Sequence, residues 1–182
     1  MPMPRHTFAC GLLALTLTGA AGPALAAETD AAAEASKATA TTLREIGSAL
    51  YFWSVDAGGE KAIEPVADAK AAETSEPEPP AVRWSRCPAA SFDEVQKLLV
   101  PRYLKEMPRA DAWGHPLEIC INREGVKTHA AHYVLGVRSA GADGRFDGDE
   151  YTVGAFDRAD ANHDMVWLDG YFIAWPMGKP AK

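Results

Sequence analysis

Between Tyr133 and Asp169 the chain reads YVLGVRSAGADGRFDGDEYTVGAFDRADANHDMVWLD, a strand-like start, an acidic loop, and a return to an apolar run. Asp143, Asp147, Asp149, Glu150, Asp157, Asp160, Asp164 and Asp169 crowd into it, interleaved with Gly141, Gly144, Gly148 and Gly154. Close carboxylates repel one another, so a fold that draws this loop together must neutralise it. A hard cation such as Ca²⁺ does so by taking oxygens from carboxylates and bent backbone carbonyls. Oxygen-only donors with no cysteine nearby favour calcium over zinc. Arg138, Arg145 and Arg158 are the other means of neutralisation, one that needs no metal. From the residues themselves, Asp147, set between glycines, is a candidate ligand.

The chain has 182 residues and a net charge of -7, which suits one domain with flexible parts. The acidic balance argues against nucleic acid and anionic membrane surfaces as partners. Residues 1–26 read as a secretory signal, with Arg5 and His6, an apolar region from Phe8, and the small-x-small site Ala24-Leu25-Ala26. The apolar region dissolves into Gly19, Gly22 and Pro23, short of the roughly 20 firmly apolar residues of a membrane span. The expected location is the periplasm or the medium. Past the signal only Cys87 and Cys120 remain, and in an oxidising compartment such a pair is most simply a disulfide.

Residues 27–41, rich in Ala, Thr and Glu, are expected as a flexible leader. Leu43, Ile46, Leu50 and Trp53 then recur at helical spacing until Asp56-Ala57-Gly58-Gly59. Residues 60–86, rich in Glu, Ala and Pro, are expected as a disordered insertion. Ser91 and Glu94 form a capping box ahead of Val95, Leu98 and Leu99. Leu117–Ile121 and His132–Arg138 read as strands, Asn122–Gly125 as a turn, and Met165–Leu168 and Tyr171–Trp175 as two further apolar runs around Asp169-Gly170. The predicted fold class is α+β: an N-terminal helix packed on a small antiparallel sheet over residues 42–176, with a tail at 177–182.

Tyr103-Leu104-Lys105-Glu106-Met107-Pro108, then Asp111-Ala112-Trp113-Gly114-His115-Pro116, then Ser139-Ala140-Gly141-Ala142-Asp143-Gly144 follow the first helix in order. This succession resembles the C-terminal globular domain of the G-type major pseudopilin of type II secretion, over roughly residues 40–175. That family carries a similar "lP-DPWG-P" stretch, a strand, and an "S-GADG" loop that binds calcium. In place of the family's pilin helix stands an ordinary signal, so the expectation is the head without the polymerising stem. The resemblance implies that Asp143 supplies the first calcium carboxylate, Asp149 or Glu150 the second, and the Ala140 carbonyl a further ligand. It implies a non-catalytic domain acting by protein contact, with secretion machinery as the partner.

Asp160-x-Asn162-x-Asp164 opens like an EF-hand loop, but Met165 stands where Gly is needed and Tyr171 where the bidentate Glu belongs, so a capped turn is the better reading. His129 and His132 fall on opposite faces of a strand, a poor metal pair. Ser139 lies in no G-x-S-x-G elbow. The alternative function is a calcium-dependent hydrolase or carbohydrate-binding protein that uses the acidic loop and exposed aromatics. The signal reading predicts that exported protein, weighed intact, lacks residues 1–26. A mass retaining Met1, recovered with membranes, would contradict it.

Overall fold

The computed structural model describes residues 23–58, 81–128, 130 and 132–178. Residues 1–22 of the expected signal, most of the Pro-rich insertion, His129 and residues 179–182 of the tail lie outside the described residues. Helix α1 spans Pro23–Gly58. It is longer than its apolar period indicates, because the inward stripe continues upstream as Ser36 and Thr39, both fully buried. Residues 27–41, expected as a flexible leader, are therefore helix. Hydrogen bonding serves this buried stretch: the Ser36 hydroxyl is shared between the carbonyls of Ala32 (2.9 Å) and Arg158 (3.1 Å), and Thr39 Oγ1 accepts from the Ala112 N–H at 3.1 Å. A buried hydroxyl is tolerated when it is paired in this way.

Strand β1 (Val82–Arg83), a short 3₁₀ turn at Trp84–Arg86 and strand β2 (Ala89–Ala90) follow. The expected insertion accordingly ends before residue 81, and Trp84, read as part of it, is buried. Helix α2 (Phe92–Leu99) starts as the capping box predicts, with the Ser91 hydroxyl accepting the Glu94 N–H at 3.3 Å. Strand β3 (Glu118–Ile121) leads not into a turn but into helix α3 (Arg123–Thr128), which the Asn122 side chain starts by accepting the Gly125 N–H at 2.8 Å. Then come β4 (Leu135–Ser139), β5 (Glu150–Tyr151), β6 (Gly154–Asp157), β7 (Met165–Leu168) and β8 (Tyr171–Met177).

The sheet order is β2-β3-β4-β7-β8-β6, while β1 and β5 pair separately as a ribbon. All pairs in the sheet are antiparallel except β6 with β8. That parallel edge departs from the expected antiparallel sheet. It arises because the chain leaves β6, crosses to the central β7, and only then turns back through Asp169-Gly170 into β8 beside β6. The Asp169 carboxylate fixes this turn by accepting the N–H groups of Tyr133, Val134 and Leu135, the last two at 2.8 and 2.9 Å.

On one face of the sheet, Leu43, Ile46 and Leu50 of α1 pack against Val137, Met165 and Trp167. On the other, Trp84, the Cys87–Cys120 disulfide, Val166, Leu168 and Tyr151 form a second core. β4 and β7 are buried along their whole length because both faces are covered. The disulfide joins Cα atoms 5.6 Å apart and tethers the covering segment to β3. In the chain-entropy view such a tie stabilises by about 3–4 kcal/mol.

Gly47 lies flat against the Trp167 indole, and a Cβ there would overlap the ring. Trp167 is itself buried and has no room to retreat. Gly47→Ala should therefore destabilise the domain by about 1–3 kcal/mol in urea denaturation, despite alanine's higher helix propensity. A variant as stable as the parent would show that this helix–sheet contact is looser than described.

Candidate metal centre

The DAWGHP stretch and the SAGADG loop, far apart in sequence, dock on each other. The buried Asp111 carboxylate accepts the N–H groups of Trp113 (3.0 Å) and His115 (2.9 Å) with one oxygen and the Ser139 hydroxyl (2.7 Å) with the other. His115 Nδ1 lies 2.8 Å from the Gly141 carbonyl oxygen. Gly141 (φ +67°) packs so closely on the turn before β7 that a Cβ would sit 2.6 Å from the Ala161 carbonyl oxygen and 2.8 Å from that of His163. The Ala142 N–H donates to Ala161 O at 2.8 Å. Two carbonyl oxygens of the 161–163 turn thus face the start of the acidic loop.

Beyond this point the loop closes over Arg138, which projects from β4. Its guanidinium donates to Glu118 Oε2 from Nε (2.9 Å) and Nη2 (2.6 Å), and from Nη1 to the Tyr151 hydroxyl (2.7 Å) and the Gly148 carbonyl (3.2 Å). Tyr151 donates onward to Asp164 Oδ2 at 2.7 Å, and the same oxygen accepts the Asp147 N–H at 2.9 Å. Asp164 is 3% exposed, and its Oδ1 has no hydrogen-bond partner. Burial pushes its carboxyl above the usual carboxylate range. The Asp147 carboxylate adds to that rise, and the Tyr151 and Asp147 hydrogen bonds and the Arg138 charge only partly oppose it. Burial, then the bond to Asp164, raises the Tyr151 phenol well above its ordinary value. A cleft of about 310 Å³ opens beside Asp164, walled by Asp147, Tyr151, Phe156 and His163.

The predicted ligands divide between two places. Asp147 is exposed and lies at this cleft, with His163 Nδ1 3.9 Å from its carboxylate. Ala140 is buried at the root of the loop. Asp143 is exposed and turns back to accept the Arg145 N–H at 3.0 Å. Asp149 and Glu150 instead hold the segment that covers the second core. Asp149 accepts the Ser85 N–H (2.7 Å) and hydroxyl (2.6 Å), which hold its carboxyl below the usual range, and Glu150 pairs with Arg83. Among the described residues no three His, Cys, Asp or Glu side chains converge as a metal-binding group. A cation here would draw on Asp164, Asp147 and backbone carbonyls.

The residue that sequence reasoning passed over is Asp164, taken only as the end of a capped turn. Asp157 caps the preceding turn by accepting the Ala159 N–H at 3.0 Å. The available signal was position: a carboxylate immediately before the wholly apolar Met165-Val166-Trp167-Leu168 is carried into the core by the strand that follows it. His163 packs on Phe156 (centroids 5.0 Å apart) and lies 3.1 Å from Asp160, a surface pair rather than a ligand set. No family model, curated protein or solved structure matches the chain.

Because folding raises the Asp164 pKa, the metal-free fold favours its protonated form. The associated stability is full below the unfolded carboxylate value, near 4, and is lost as pH rises through the higher folded value. In chelator, urea midpoints of the parent should therefore fall more between about pH 4 and about pH 7 than those of Asp164→Asn. Parallel pH profiles would show that Asp164 carries no such penalty.

Proposed function

We propose that this chain is an exported, non-catalytic domain of the pseudopilin-head kind that takes one structural Ca²⁺ at its acidic loop and acts through protein contacts, with secretion machinery as the partner class. The observation that carries the reading is the buried, unpartnered Oδ1 of Asp164, on a carboxylate whose other oxygen is already engaged by Tyr151 and the Asp147 N–H. A desolvated anion with an open lone pair is costly, and a cation offsets that cost directly. Asp147 is the nearest second carboxylate, and the carbonyls of Ala161 and His163 face the same loop. Asp143 and the Ala140 carbonyl are further ligands that the resemblance implies.

The disulfide supports an oxidising compartment, and none of the described helices is long and apolar enough to cross a membrane. The ion's work would be mechanical. It would fasten the acidic loop to the turn before β7 and so fix the far end of the loop, where Asp149 and Glu150 grip Ser85 and Arg83.

The test is a melting curve with calcium and with chelator. Calcium at about 100 times its Kd adds about 2.7 kcal/mol to a site it binds only when folded, roughly 5–10 °C for a domain of this size. The parent should show that rise, and Asp164→Asn should lose most of it. A parent whose midpoint ignores both additions would overturn the proposal.

A further inference from the structure

Lys37, Ala40, Thr41 and Arg44 of α1, with Arg158 and Pro176, line a groove of about 190 Å³ that has no carboxylate among its described lining residues. The chain as a whole carries a net charge of -7, so a groove walled by three cations stands against the general field. Among the described residues Lys37 pairs only with the exposed Glu34, at 3.7 Å. Arg44 and Arg158 make no ion pair among the described residues.

Lys37 and Arg44 come from α1 and Arg158 from the turn after β6, and the fold holds the two arginines in place. Arg44 lies over the Phe172 ring of β8, 5.4 Å from its centroid. Arg158 is fixed through its backbone: its N–H donates to the Met177 carbonyl at 3.1 Å and its carbonyl accepts the buried Ser36 hydroxyl at 3.1 Å. One end of its guanidinium, Nη2, reaches Gly178, where a Cβ would overlap it. The buried serine in an otherwise apolar stripe thus sets Arg158 beside Lys37 and Arg44.

The geometry points to a docking groove for an acidic, extended segment of a partner protein, with carboxylates about three residues apart. Lys37 and Arg44 are two helical turns apart, about 10 Å at 1.5 Å per residue. One carboxylate or one phosphate is too small to bridge them. An extended chain in the polyproline II conformation has about three residues per turn and rises about 3.1 Å per residue, so acidic side chains at i and i+3 share one face and cover the same span. Ala40 and Pro176 give the groove an apolar floor for the intervening residues. A polyanionic surface, whether nucleic acid or anionic membrane, meets long-range repulsion from the rest of the molecule, whereas a short segment meets only the groove. The proposal deepens the reading that the chain acts by protein contact and does not depend on calcium.

The experiment is fluorescence anisotropy on the full, disulfide-intact chain. The probe is a labelled octapeptide carrying glutamates at i and i+3, with a glutamine version and an adjacent-glutamate version as comparisons. The expected result is saturable binding that weakens with salt and is weaker for both comparison peptides. Arg44→Glu with Arg158→Glu should weaken it at least about tenfold, and the neutral pair Arg44→Gln with Arg158→Gln should weaken it in the same direction with an unchanged melting midpoint. Lys105→Glu, an exposed cation outside the groove, should leave it within about twofold. Binding that persists in chelator separates this proposal from the calcium reading. No saturable binding by the folded parent, equal loss with Lys105→Glu, competition by inorganic phosphate, or preferential capture by phosphatidylglycerol vesicles would each overturn it.

Discussion

A guanidinium buried beneath an acidic loop sets the terms for this molecule. Arg138 is 8% exposed, and a buried cation is tolerable only when paired and fully hydrogen-bonded. Glu118, on the neighbouring strand, provides the charge, while Gly148 and Tyr151, on the returning loop, provide the remaining acceptors. The rings of Phe146 and Trp84 lie over the guanidinium, 3.9 and 4.7 Å from it. The sheet, the acidic loop and the covering segment at 82–86 therefore meet on one side chain. Replacing it would unpair Glu118, Gly148 and Tyr151 at once.

The chain Arg138–Tyr151–Asp164 carries this organisation to the start of β7, but it does not finish there. The phenol joins a cation to an anion without neutralising the far oxygen of that anion. Asp164 is left desolvated, near a second carboxylate, with one oxygen satisfied and one bare. Arg138 thus answers part of the electrostatic problem that the sequence poses, closing the loop from beneath. Calcium is proposed for what remains at its outer edge.

The apolar periods made the helix, the capping box and the β7–β8 hairpin readable, because each rests on local spacing. What escaped depended on partners distant in sequence. Ser36 and Thr39 extend the buried face of α1 through hydroxyl bonds to Arg158 and Ala112, which no hydropathy period records. Trp84 looked like the end of a Pro- and Glu-rich insertion, yet it is a core residue held by the disulfide beside it and by Arg138 above it. In the site, the acidic loop was legible as a place but not as a set of roles. Asp149 and Glu150 are close in sequence to Asp147, but the pairing of β5 with β1 and the bonds of Asp149 to Ser85 turn them to the covering segment. Asp164, dismissed as a turn residue, is the carboxylate carried inward.

The central claim is that Asp164 Oδ1 is a cation ligand. Crystals grown at millimolar calcium and in chelator test it most directly, through the anomalous signal of the ion. The account predicts a calcium peak about 2.3–2.6 Å from Asp164 Oδ1 in the first crystal and none in the second. A calcium-grown crystal in which that oxygen is protonated or bound only to water, with no ion beside it, would contradict the account.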